Sequence, residues 1–237
     1  MLFTFVQRII CSLTIPDGKS LKIDKFIFTP SFEGERQARY IQAIVDANTQ
    51  EEAKIIARKA FNEFLAKLTL IDNSKYILEE QLSVSDESST TVHTMAMSLS
   101  YSVANDGNLI KNKYEKAFKF KHPKKTPLRL YQEGIQLDNP FEKFKSFYRV
   151  LESYYTTKNI TKWILKQNPK TEMKIDKHDN PVTIYTWIRI KLSHSKNSKK
   201  DLKPLLLSSL DDVRQVNRCL PKMKELAREI IREMEDV

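Results

Sequence analysis

Apolar positions in the first half of the chain follow the two-residue spacing of strands. Six segments are rich in aromatic and β-branched residues or alternate with polar ones: 2–15, 20–28, 38–47, 76–84, 92–103 and 113–121. These segments predict strands. Pro16-Asp17-Gly18 is a turn signal, so we expect 20–28 to form a hairpin with 2–15.

One segment among these strands has the spacing of a helix instead. Thr49 and Glu52 form a capping-box pattern at its start. Apolar residues then recur every three or four positions: Ala53, Ile56, Ala57, Ala60, Phe61, Phe64, Leu65 and Leu68. The pattern predicts an amphipathic helix over about 50–70. Residues 1–125 are therefore expected to form an α+β domain, a mostly antiparallel sheet covered by one main helix. No residue there indicates a particular ligand.

Beyond a proline-containing basic linker at 121–127, the pattern is helical. Asn139-Pro140 with Glu142 predicts a helix start, and an aromatic stripe follows it: Phe141, Phe144, Tyr148, Leu151 and Tyr155. Further helices are predicted at about 160–167, at 181–194 behind Asn180-Pro181, and from Ser209 onward, where Pro221 should kink or split the last one. Residues 126–237 should form an all-α domain, with four or five helices in 138–237.

Composition excludes several classes of site. Four glycines in 237 residues leave no Gly-rich phosphate loop, and two cysteines cannot build a zinc cluster. Cys11 and Cys219 are expected to be buried thiols in a reducing compartment. No signal peptide or membrane span is evident, so the chain is predicted to be cytoplasmic. Neither a metal nor another cofactor is expected.

Positive charge is concentrated near one segment. The chain has a formal net charge of +10, and residues 143–203 hold 15 Lys or Arg against 5 Asp or Glu. Such a patch attracts nucleic acid or another polyanion. A solvated, lysine-rich surface is the other interpretation, and the pattern alone does not separate the two.

Within this window, Arg189 and His194 lie five positions apart near a helix end. Arginine binds phosphate in a bidentate fork, and histidine moves protons near neutral pH. The pair could cleave a phosphodiester without metal. In an unbroken helix the two side chains would lie about 140° apart. Convergence would therefore need a bend, fraying or a second copy of the chain. A chance pair without catalytic role is the alternative. Glu152, on the aromatic helix, would be an ion-pair partner or an acid that orients Arg189.

This R-x4-H pattern, behind a helix with aromatic and acidic positions, resembles the HEPN family over about residues 138–237. The resemblance implies a metal-independent endoribonuclease, as found in toxins and phage-defence systems, with Arg189 and His194 catalytic. It implies a homodimer through the C-terminal helical domain and products ending in a 2′,3′-cyclic phosphate. Four lysines would guide RNA to the site: Lys191, Lys196, Lys199 and Lys200.

Two other functions remain open. Ile190 stands where active HEPN members usually carry a polar residue. This departure favours a non-catalytic HEPN-like module that binds RNA or a protein. A scaffold whose N-terminal sheet recognises a ligand is the third class. The other histidines, His93, His122 and His178, are assigned no role.

Overall fold

The computed structural model describes residues 2–11, 13–85, 105–118, 124–176, 178–193 and 204–235. The chain divides into two compact units, residues 1–121 and 122–237. The strand predicted at 92–103 lies outside the described residues. The first unit is built on an antiparallel sheet and the second is mainly helical, so the fold is α+β as the sequence predicts. No helix in the described ranges is long and apolar enough to cross a membrane.

In the described part of the first unit, five strands form a sheet in which β1 (Leu2–Ile10) is an inner strand. Its other strands are β3 (Leu21–Ile23), β4 (Phe26–Thr29), β5 (Tyr40–Asp46) and β6 (Ile77–Ser85), in the order β3-β4-β5-β1-β6. All neighbouring strands are antiparallel. A short strand β2 (Leu13–Thr14) pairs in parallel with β7 (Asn105–Asp106) outside this sheet.

The predicted hairpin between 2–15 and 20–28 is wrong. Segment 20–28 folds back on itself as β3 and β4, because Asp24 adopts a left-handed conformation (φ 55°) that reverses the chain there. β1 pairs instead with β5 and β6. The turn signal at Pro16-Asp17-Gly18 does not join paired strands, since β1 ends six residues earlier.

Helix α1 (Gln50–Asp72) confirms the predicted amphipathic helix. Thr49 Oγ1 accepts a hydrogen bond from Glu52 N, and Glu52 Oε2 accepts one from Asn48 N. Its apolar face packs on the sheet, where the ring of Phe64 stacks on Phe26 with centroids 4.1 Å apart. The helix covers one face of the sheet and closes the core of this unit.

The extended segment predicted at 113–121 is wrong, because residues 107–118 form helix α2 (Gly107–Phe118). Its buried side chains, Ile110, Tyr114 and Phe118, recur every four residues. Asp106 Oδ1 accepts hydrogen bonds from the amides of Asn108 and Leu109 and so begins the helix. The predicted segment 113–121 includes only Tyr114 and Phe118 of these three residues, too few to show a helical period.

The described residues of the second unit form five helices: α3 (Lys125–Gln136), α4 (Pro140–Glu152), α5 (Thr157–Gln167), α6 (Ile184–Ser193) and α7 (Leu210–Glu235). Helix α4 packs against all four others and forms the centre of the unit. Asn139 caps α4 through its side-chain oxygen, as predicted. Cys11 in the first unit and Cys219 in the second are both free and buried, also as predicted.

Three details of this unit differ from the sequence predictions. Residues Met173–Ile175 and Pro181–Thr183 form a small hairpin, β8 and β9, so the helix predicted from Pro181 begins at Ile184. Pro127, expected in a linker, lies in the first turn of α3, where a missing N–H costs nothing. Helix α7 continues through Pro221, so the predicted split does not occur, and buried residues lie on both sides of the proline.

Candidate functional site

The end of α4 and the second half of α6 are joined by an ion pair. Arg189 on α6 donates from Nε to Glu152 Oε1, the last residue of α4, at 2.8 Å. The two side chains are 34% and 29% exposed, so the pair is partly shielded but reachable from solvent. Of the two interpretations of Glu152, the ion-pair contact with Arg189 is present, and an orienting role is compatible with it.

Ser193 holds the same guanidinium from a second direction. Arg189 Nη1 donates to Ser193 Oγ at 2.7 Å, and that hydroxyl donates to the Arg189 carbonyl at 3.0 Å. A guanidinium has five N–H groups. Among the described residues, acceptors are present for two of them, which leaves N–H groups at Nη1 and Nη2 for a ligand.

Three buried hydroxyls form a hydrogen-bonded row: Tyr148 and Thr186, one turn before the ion pair on α4 and α6, and Thr183 at the end of β9. Tyr148 Oη and Thr186 Oγ1 are 3.0 Å apart, and Thr186 Oγ1 is 3.1 Å from Thr183 Oγ1. Burial is the main cause that raises the pKa of Tyr148 to about 12, and the hydrogen bond with Thr186 acts in the opposite direction. The phenol is therefore neutral at physiological pH, and these hydroxyls join α6 to α4 rather than supplying charge.

Lys191 is one of the four lysines predicted to guide RNA. Its Nζ lies 4.2 Å from the centroid of the Trp187 ring, one turn earlier on α6. A cation over an indole face is attracted by the ring quadrupole. Lys191 is thus on the same helix as Arg189, with its charge held against an aromatic surface.

Several predicted site residues lie outside the described residues: His194, Lys196, Lys199 and Lys200. His194 directly follows Ser193, the last residue of α6. His93 and His122 are also outside the described ranges. His178 is exposed in the turn between β8 and β9, where its backbone amide donates to Asp176 Oδ1 at 2.8 Å. No group of metal-binding side chains occurs among the described residues.

Sequence reasoning missed Ser193 and the row of hydroxyls. Ser193 is four residues after Arg189, a spacing that puts the two side chains on one helix face and could have indicated their contact. The contact between Tyr148 and Thr186 joins residues 38 positions apart, and no local pattern signals it. The structure thus adds a contact to Arg189 from Ser193, and a contact between α4 and α6 through the hydroxyls.

Comparison with known proteins gives one family match, and the matched region includes this site. No curated protein and no solved structure matches the chain. The family described as methylamine utilization protein MauJ matches residues 127–232. This range covers less than half of the chain and contains Glu152, Arg189 and Ser193. Residues 127–232, from α3 into α7, are therefore similar to the MauJ family.

Proposed function

We propose that the protein is a metal-independent endoribonuclease of HEPN type, with its site at the end of α6. The observation that supports this proposal is the fixed guanidinium of Arg189. Glu152 and Ser193 hold it at 2.8 and 2.7 Å, while other N–H groups have no acceptor among the described residues. A phosphate can accept from these N–H groups without breaking either existing contact.

In the proposed reaction, the ribose 2′-oxygen attacks the adjacent phosphorus. A bond forms between the 2′-oxygen and phosphorus, and the bond from phosphorus to the 5′-oxygen breaks. His194 would take the 2′-hydroxyl proton or give one to the 5′-oxygen. Arg189 would stabilise the added negative charge on the pentavalent phosphate. The products would be a 2′,3′-cyclic phosphate and a free 5′-hydroxyl.

The contacts of Arg189 favour catalysis because they orient it before substrate arrives. An arginine side chain has many rotamers, and ordering it on binding would cost up to about 2 kcal/mol. Here Glu152 and Ser193 have already restricted the guanidinium during folding. Lys191, with Lys196, Lys199 and Lys200 beyond the end of α6, would attract RNA. The setting proposed from the HEPN resemblance is a toxin or phage-defence system in the cytoplasm.

The description of the matching family, methylamine utilization protein MauJ, names no reaction and does not favour RNA cleavage. The rival function is a non-catalytic HEPN-like module that binds RNA or a protein. Two observations favour this rival: Ile190 follows the arginine, and a purely structural contact that joins α4 to α6 would have the same ion pair with Glu152. The two functions differ in whether RNA is cut.

Cleavage of labelled single-stranded RNA in EDTA tests the proposal. We expect the wild-type protein to cut RNA, and His194→Ala to cut about 10²–10⁴-fold more slowly because proton transfer is lost. RNA binding by His194→Ala should be nearly unchanged. Arg189→Ala should lose both cleavage and part of the binding. The matched control is Arg149→Ala, which removes an exposed arginine from α4.

The outcomes separate the two functions. Retained cleavage by a well-folded His194→Ala protein would remove the catalytic role of that residue. Binding without cleavage by the wild-type protein would support the non-catalytic module. An equal loss of RNA binding and cleavage in Arg149→Ala and Arg189→Ala would show that Arg189 contributes only its positive charge.

A further inference from the structure

Helix α5 exposes a line of lysines along one side. Lys158, Lys162 and Lys166 are spaced four residues apart, and all three are exposed. Lys170 repeats the spacing in the turn after the helix. None of these lysines forms an ion pair within the described part of the chain. We call Lys158, Lys162 and Lys166 the α5 lysine line.

The charge of this line is not balanced by nearby acids in sequence. Residues 153–171 contain no Asp or Glu. Other helices place an acid three residues from a surface lysine, at distances of 2.6–2.8 Å: Lys54–Glu51, Lys145–Glu142 and Lys222–Glu225. Such pairs are common on solvated helix faces. The α5 lysine line therefore differs from the ordinary charged surfaces of this same protein.

The opposite side of α5 is firmly held. Ile160, Trp163 and Ile164 are buried. Glu233 Oε2 on α7 accepts hydrogen bonds from Trp163 Nε1 at 2.8 Å and from Gln167 Nε2 at 3.0 Å. This carboxylate is thus occupied by neutral donors, although it lies close to α5. The line of ammonium groups is presented by a fixed helix rather than by a loop.

The spacing of the line fits a nucleic-acid strand. Four residues of helix rise about 6 Å. This is on the order of the distance between consecutive phosphates in an extended single strand. Proteins that bind single strands use positive surfaces that follow the backbone in this way. We propose that the α5 lysine line binds the phosphate backbone of single-stranded RNA. The inference deepens the proposed function, on which it rests, because the bound strand would be its substrate.

The test compares two proteins with the same charge change. In one, Lys158, Lys162 and Lys166 become Gln, which suits a helix. In the control, three exposed lysines of the first unit become Gln: Lys19, Lys22 and Lys59. Both triples carry His194→Ala, so binding is measured without cleavage. The probe is a fluorescein-labelled oligouridylate, titrated by anisotropy over a range of KCl concentrations.

We expect the α5 triple to bind more weakly and its log–log salt slope to fall by roughly 2, about 0.7 for each lost phosphate contact. The control triple should keep the parental slope. Equal slopes for the two triples would overturn the proposal, as would polyglutamate binding as tight as the oligouridylate. Cleavage is measured separately in proteins that retain His194. Binding that depends on the α5 lysine line, without cleavage, would refute only the proposed nuclease activity. Cleavage by the wild-type protein, with no change of salt slope in the α5 triple, would refute only the role of the α5 lysine line.

Discussion

At the scale of single residues, contacts with neighbouring side chains fix the orientation of Arg189, and the R-x4-H motif does not indicate them. The R-x4-H spacing predicts a catalytic pair but does not say what holds the arginine. Glu152 approaches from another helix and Ser193 from the next turn of the same helix. A polar site that is fixed in this way needs less reorganisation when a charged ligand binds.

Replacement of Glu152 by Ala should separate orientation from stability. The pair is about one-third exposed, so its loss should lower the free energy of unfolding by only about 1 kcal/mol or less. If Glu152 orients Arg189 for catalysis, RNA cleavage should fall at least about tenfold, with binding affinity little changed. The control is Glu142→Ala, which removes another α4 ion pair, at 2.7 Å from Lys145. Equal cleavage by both variants would contradict the orienting role.

The contact between Arg189 and Glu152 was within reach of sequence reasoning, whereas other contacts were not. Glu152 follows Tyr148 by one helical turn, so its position beside the buried stripe was apparent. Tyr148 meets Thr186 only because α4 and α6 pack together, and packing partners are not encoded in a local period. The sequence pattern also predicts Thr183 inside a helix, whereas it is the last residue of β9, so the pattern does not indicate its contact with Thr186.

At the scale of elements, the local sequence signals that predict correctly are those in which a capping side chain bonds to the backbone of the helix that follows it. Thr49 and Asn139 cap the helices that were predicted behind them. Pro221 does not split its helix and Pro181 does not begin one, because proline has more than one structural use. Proline within α7 is tolerated when buried residues hold the helix, and proline at the start of β9 lacks only one donor.

Gly134 provides a test of the packing between α3 and α4. A Cβ atom there would lie 2.5 Å from Cε1 of Phe147, a fully buried ring. Alanine gains up to about 1 kcal/mol in helix propensity, but the clash should cost more, about 1–3 kcal/mol. We therefore expect Gly134→Ala to lower stability in urea denaturation. Glu133→Ala, at the exposed neighbouring position, is the control and should change little. A more stable Gly134→Ala protein would contradict this packing.

At the scale of the whole molecule, the limits of sequence reasoning lie in long-range pairing. The segments of β1, β5 and β6 were predicted, but their order was not. β1 pairs with β5 and β6, strands that begin 30 or more residues beyond its own end. Alternating patterns show which face of a strand is buried and do not name its neighbour. The α+β class could thus be predicted while the topology could not.

Most of the aromatic stripe of α4 packs within the second unit, so it is not available to a second copy of the chain. Phe144, Tyr148 and Leu151 are fully buried there. Among the described residues of the second unit, large exposed apolar side chains lie elsewhere: Leu206 and Leu207, just before α7, and Leu210, its first residue, are 46–71% exposed. The proposed homodimer therefore rests on the HEPN resemblance, in which two copies supply the catalytic groups, and on this exposed segment.

Light scattering at micromolar concentration should report a mass twice the 27.8 kDa of the chain. A stable interface should bury roughly 1,000 Å² or more in total. A leucine that is exposed in the monomer becomes buried in such an interface, and a charged residue in its place would oppose dimer formation. Leu210→Glu should then shift the protein toward monomer. Ile55→Glu is the matched control, because Ile55 is 70% exposed on α1 and Leu210 is 71% exposed on α7. A monomeric wild-type protein would refute the dimer, and a dimer that survives Leu210→Glu would exclude the start of α7 as its interface.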